Sequence, residues 1–136
     1  MGGLFGLLNV SASGMAAERL RMQVIAENLA NANTTKGADG EPFRRKAVVL
    51  HEAGASFGEV LGGVVATGVV EDQRPGRRVH DPSHPDADKN GFITLPNIDT
   101  VTEMVDLISA QRGYEANVQA INDAKAIISR TLEILR

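Results

Sequence analysis

The sequence predicts a mainly α protein with a small β-rich insert, whose long N- and C-terminal helices pair as an antiparallel coiled coil. Three observations indicate this fold class. Apolar residues recur at helical spacing near both ends of the chain, and all five prolines lie between those ends. Aromatic residues make up only 4% of the 136 residues, which predicts a thin core. We therefore expect three segments, comprising residues 1–35, 36–97 and 98–136.

The composition excludes several classes of protein. With no cysteine, the chain has no disulfide scaffold, thiolate zinc site, iron–sulfur cluster or cysteine nucleophile. A formal charge of -3 argues against a general nucleic-acid binder. No stretch approaches the roughly 18 apolar residues that span a bilayer. The first cation is Arg19, so we do not expect a cleavable secretory signal peptide.

The first segment is predicted to form one helix over residues 4–33. Leu8, Met15, Met22 and Leu29 recur every seven residues, and Ile25 widens the same stripe. Asparagine and glycine accept the left-handed conformation of a helix C-terminus, and they are frequent in residues 31–37. This composition predicts that the helix ends there.

The middle segment is predicted to be a small β-rich module with irregular connections. Short runs with β propensity occur at residues 46–51, 64–70 and 92–95, separated by turns rich in Gly, Pro and Asp. His80 and His84 lie four residues apart, but the prolines of this loop exclude the helix that would bring them together as metal ligands.

Residues 86–91 match the first half of a calcium-binding EF-hand loop. The bidentate Glu that this loop needs at its twelfth position is replaced by Asn97. Asp side chains that bond their own backbone, with a turn at Asn90-Gly91, explain the same residues. The chain also lacks a G-x-S-x-G elbow and any assignable Ser/His/Asp trio. We expect no metal, no cofactor, no small-molecule substrate and no enzymatic activity.

The last segment is predicted to form a helix over residues 98–135, with Asp99 or Thr100 as its N-cap. Ten positions that are alternately three and four residues apart form a ladder along this helix, and eight of them are apolar. Its residues are Met104, Leu107, Gln111, Tyr114, Val118, Ile121, Lys125, Ile128, Leu132 and Leu135. A neighbouring face carries Ile98, Val101, Val105 and Ile108. A helix that is apolar on two faces normally has more than one partner, so we expect neighbouring subunits to complete both terminal helices. The alternative is a self-contained antiparallel hairpin.

Several motifs occur in a fixed order along the chain. They are Ser13-Gly14-Met15, AENLANANTT at residues 26–35, and RGYEAN at residues 112–117. On these motifs the chain resembles the rod and hook family of bacterial flagellar axial proteins. FRRK at residues 43–46, DPSHPDAD at 81–88, NGF at 90–92 and LPNI at 95–98 are similar to the proximal rod members of that family.

The resemblance implies a structural subunit that stacks helically into a hollow tube crossing the periplasm. In that family the tube transmits torque and conducts exported substrates, and the terminal axial helices pair as a coiled coil. The implied partners are other rod subunits, further copies of this chain, and basal-body ring and export-gate proteins. The resemblance also implies type III export without a cleaved signal peptide. The alternative is a soluble coiled-coil adaptor or export-chaperone-like binding module.

We expect the subunit interface to lie on both helices. Its residues are Leu8, Met15, Met22, Ile25, Asn28, Leu29, Asn31, Asn33, Met104, Leu107, Arg112, Tyr114, Asn117, Val118, Ile121, Ile128 and Leu132. Buried asparagines fix register in coiled coils, so the three on the first helix are candidates for hydrogen bonds between subunits. The alternative is that they are ordinary surface and C-terminal amides. Arg112 and Asn117 are five residues apart and should contact different partners.

Overall fold

The computed structural model describes residues 2–53 and 62–134, with side chains from residue 6 onward. Helix α1 (Gly2–Ala30) is followed by strands β1 (Lys46–Glu52), β2 (Val64–Glu71), β3 (Arg77–His80) and β4 (Phe92–Leu95), and then by helix α2 (Thr100–Ile134). About half of the chain is helical, which confirms a mainly α protein with a small β insert. Leu135, the last position of the ladder, lies outside the described residues.

The helix ends follow from local chemistry. Beyond Ala30, the Asn31 side chain donates to the Glu27 carbonyl at 2.9 Å, and the Thr34 amide donates to the Asn31 carbonyl at 3.0 Å. These bonds turn the chain out of α1 three residues before the predicted end. At α2, the Asp99 carboxylate accepts the Val101 amide at 3.0 Å, so Asp99 is the N-cap.

The described residues of the middle segment form two separate two-stranded antiparallel sheets. Strand β1 pairs with β2 from Lys46↔Glu71 to Glu52↔Val64, and Thr67 is an extra residue in β2 that shifts the register. Strand β3 pairs with β4, with His80 opposite Phe92. The sequence predicts three of these four strands. It misses β3 because this strand is short and carries a single apolar residue, Val79.

Helices α1 and α2 pack side by side. Gly14 lies against Asn117, Gly113 against Glu18, and Asn28 hydrogen bonds Glu103, so the contacts descend along α2 as they ascend along α1. The β1–β2 sheet contacts α1 as well, since the Val64 amide donates to Ser13 Oγ at 3.0 Å. Neither described helix contains an apolar stretch long enough to cross a membrane.

The core of the described residues is thin, as the aromatic content predicts. Its buried apolar side chains are small or aliphatic: Ala17, Val24, Ile25, Ala32, Ile93, Ala110 and Ala124. The largest fully buried side chains among the described residues are both polar, Glu103 and Asn28. A core of this kind allows close helix contact but covers little apolar surface.

Candidate interface surfaces

The contact between α1 and α2 uses small and polar residues. On α2 the buried positions are Glu103, Ala110 and Ala124, which recur at multiples of seven. Each lies one residue before a position of the predicted ladder. Small side chains let two helix backbones approach closely, and hydropathy patterns give them little weight. The line that faces α1 is therefore displaced from the most apolar line.

The residues predicted for the interface fall into three classes of exposure. Ile25 and Asn28 are buried against the rest of the chain, while Asn33, Met104, Arg112 and Leu132 are exposed. The others are half-buried along the helix pair: Leu8, Met15, Met22, Leu29, Asn31, Leu107, Tyr114, Asn117, Val118, Ile121 and Ile128. The rest of the chain therefore covers most of these side chains only in part.

An exposed apolar patch covers the N-terminal half of α2. Val101, Met104, Val105 and Ile108 are 52–68% exposed, although they follow the i, i+3, i+4, i+7 spacing of one helix face. At about 100° per residue this face points away from the face that holds Glu103 and packs on α1. The chain therefore covers one side of α2 and leaves the apolar residues of this face exposed.

A second group of exposed apolar residues lies at the C-terminal end of α2. Ile127, Leu132 and Ile134 are 57%, 61% and 84% exposed. Exposed apolar residues that occur singly are normal on a protein surface. Two clusters on one helix are typical of a surface that another chain covers.

A polar junction joins the helices to the middle segment. The Glu103 carboxylate accepts Asn28 Nδ2 at 3.0 Å and Arg45 Nε at 2.5 Å. The Asn28 amide also bonds both the N–H and the C=O of Lys46, each at 2.8 Å. All three hydrogen bonds of Asn28 lie within this chain. The sequence does carry one signal for the burial of Glu103, which is its spacing of seven residues from Ala110.

The remaining polar candidates have different surroundings. The Asn117 side chain donates to the Gly113 carbonyl of its own helix at 2.9 Å and lies against Gly14. Asn31 likewise bonds its own helix, as described above. Arg112 and Asn33 project from the helix pair with exposed side chains. Asn117 therefore faces α1, while the Arg112 side chain faces outward.

The loop between β3 and β4 is built from turns, as predicted. Asp88 accepts the amides of Asn90 and Phe92, and Gly91 adopts a φ of 75°, which closes the turn. No three His, Asp or Glu side chains among the described residues lie close enough to share a metal ion.

One contact joins this loop to the chain that leaves α1. Asp86 accepts the Thr35 hydroxyl at 2.6 Å and pairs with Lys36 at 2.9 Å. The Thr35 hydrogen bond, followed by that of Lys36, lowers the pKa of Asp86. The loop is therefore anchored next to the C-terminal end of α1.

Comparison with known proteins gives matches at both ends of the chain. The family described as "Flagella basal body rod protein" matches residues 8–38, and "Flagellar basal body rod FlgEFG protein C-terminal" matches residues 89–134. The flagellar basal-body rod protein FlgC of Salmonella typhimurium is 40% identical over 131 residues, covering 96% of this chain and 97% of the relative. FlgC of Bacillus subtilis is 43% identical over 145 residues, with the same coverage. FlgC of Borreliella burgdorferi is 38% identical over 150 residues, covering 98% and 99%.

Proposed function

The chain belongs to the family of flagellar basal-body rod proteins, and from this premise we propose that it polymerises helically into the hollow proximal part of the rod. It is a structural subunit of the flagellar basal-body rod and not an enzyme. The proposed polymer contains further copies of this chain and other rod subunits. It transmits torque and conducts exported substrates through its bore.

The exposed apolar patch on α2 carries this proposal. Val101, Val105 and Ile108 present a contiguous apolar face to solvent, and none of the described elements of their own chain covers it. Burying apolar surface releases about 25 cal/mol per Å², so a neighbouring subunit gains free energy by covering this patch. The half-buried residues along the margins of the helix pair would extend the same interface.

The proposal has several finer parts, of which the geometry supports the pairing of the helices. Because contacts descend along α2 as they ascend along α1, we propose that the two axial helices form an antiparallel coiled coil, with residues 36–97 as a module outside it. We place the subunit in the periplasmic part of the rod, reached by type III export without a cleaved signal peptide. Basal-body ring and export-gate proteins are proposed as further partners.

Two substitutions on α2 test the interface. Met104→Asp and Leu132→Asp each put a carboxylate on an exposed apolar side chain, so the isolated chain should keep its helical circular dichroism. Burying an unpaired carboxylate against a neighbour costs several kcal/mol. We therefore expect loss of the subunit from purified basal bodies and loss of swimming in a strain that expresses only the variant.

The matched control is Ser109→Asp, which adds the same charge at an exposed polar position of the same helix. It should be incorporated normally. Normal motility together with normal recovery of both apolar-site variants in basal bodies would contradict the proposed interface.

A further inference from the structure

Two fully buried polar side chains meet where α1, α2 and the middle segment join. Asn28 is 0% exposed and Glu103 is 1% exposed, and they come from different helices. Burying a carboxylate costs free energy unless it is paired and hydrogen bonded, so such a group is a poor source of net stability. Buried polar groups of this kind are best attested as devices that select one arrangement over others.

The hydrogen bonds of this junction form a closed ring. Arg45 donates to one oxygen of Glu103, the other oxygen accepts Asn28, and the Asn28 amide returns to the backbone of Lys46, the residue after Arg45. The Asn28 amide bonds Lys46 as a neighbouring strand would, through one donor and one acceptor. Lys46 is the first residue of β1. The ring therefore adds two side-chain hydrogen bonds at the residue where β1 begins its pairing with β2.

We propose that this ring couples pairing of the terminal helices to ordering of the start of strand β1. Asn28 of α1 bonds the backbone N–H and C=O of Lys46, and Glu103 of α2 holds the Asn28 amide in orientation. The first residue of β1 is consequently held by both helices in addition to its pairing with β2. This inference concerns the folded chain itself and does not depend on the proposed function.

Removing the Glu103 side chain tests whether the ring couples the helices to β1, because Glu103 bonds the Asn28 amide, which in turn bonds Lys46. Replacing it by alanine leaves the Asn28 and Lys46 residues unchanged but removes the acceptor that orients the Asn28 amide. Arg45, whose side chain is 24% exposed, also loses its nearest carboxylate. The effect should appear at the Lys46 amide, which is 57 positions away in the sequence and makes no direct contact with Glu103.

The experiment uses the full chain with its helices held together by an engineered disulfide. A Cβ built on Gly14 lies 2.9 Å from the amide atoms of Asn117, so Gly14→Cys with Asn117→Cys places two thiols in contact, in a chain with no other cysteine. In the oxidised chain, amide exchange of Lys46 is measured by NMR with and without Glu103→Ala. We expect exchange to become faster by about tenfold or more, the factor for losing one hydrogen bond to a charged group.

Asp106→Ala is the matched control, because this carboxylate lies on the same helix, also faces Arg45 and is 3.9 Å from it. It should leave Lys46 exchange unchanged within about twofold. The amides of Val79 and Ile93 in the β3–β4 sheet serve as an internal reference and should not change. Retained Lys46 protection in Glu103→Ala would overturn the proposal, and so would an equal loss at Val79 and Ile93, since the coupling is local.

Discussion

Glycines allow the closest approaches at the level of single residues. On the helices, a Cβ at Gly14 or Gly113 would meet the ends of side chains, those of Asn117 and Glu18, which can move. At Gly76 a Cβ would collide with the backbone carbonyl of Leu95, which is fixed by the β3–β4 pairing. A Cβ added at Gly76 therefore requires the backbone to shift, whereas a Cβ added at Gly14 or Gly113 requires only a side chain to move.

Gly76→Ala should destabilise the β3–β4 sheet by about 1–3 kcal/mol, because the backbone of the paired strand has to shift. The free energy of opening is measured from amide exchange at Val79 and Ile93. Gly68→Ala in β2 is the control, since a Cβ there meets nothing within 4 Å, and it should be neutral or slightly stabilising. Equal stability of the two variants would contradict this account of Gly76.

Helix α2 shows how one element carries several functions along its length. Asp99 caps its start, Glu103 and Ala110 face α1, and Val105 on the outer side is exposed to solvent. Hydrogen bonds from the Thr102 hydroxyl and then from the Val101 amide lower the pKa of Asp99. The cap is therefore strongest when this carboxylate is ionised.

A lowered pKa in the folded state means that the stabilisation by Asp99 is fully present above the unfolded pKa of about 3.9 and is lost as pH falls through the folded value. We expect the first turn of α2 to open on acidification below about pH 4, measured as faster amide exchange at Val101 after correction for the intrinsic pH dependence. The Asp99→Ala variant should show the faster amide exchange at Val101 already at neutral pH. Asp99→Ser keeps a capping oxygen without the charge, and its Val101 protection should not depend on pH.

At the scale of the whole molecule, the helix pair buries few large apolar side chains and leaves several of them exposed. The contact uses Ala110, Ala124 and Gly113, whereas the larger apolar side chains of α2 lie at its margins or on its outer face. A long helix in water gains most of its stability from tertiary packing. The ends of this pair should therefore depend on neighbours in the rod.

Hydrogen exchange on the isolated chain and on purified basal bodies tests this dependence. In the isolated chain, we expect amides near Ile127 and Ile134 to exchange at least tenfold faster than those near Ala110, because the exposed end has few packing contacts. In basal bodies this difference should disappear. The β3–β4 sheet is the control and should exchange equally in both. A monodisperse monomer with full protection along both helices would contradict the expectation.

The sequence by itself determined the two helices, three of the four strands and the family, and it limited the N-cap of α2 to Asp99 or Thr100, because these features depend on local periodicity, turn chemistry and motif order. It predicted that α2 is apolar on two faces but placed the contact line one residue too far along, since hydropathy favours Met104 over the neighbouring Glu103. Only the tertiary structure decided that Glu103 is buried. Its partner Arg45 is 58 residues away, and a charge can be buried only where folding brings a partner to it.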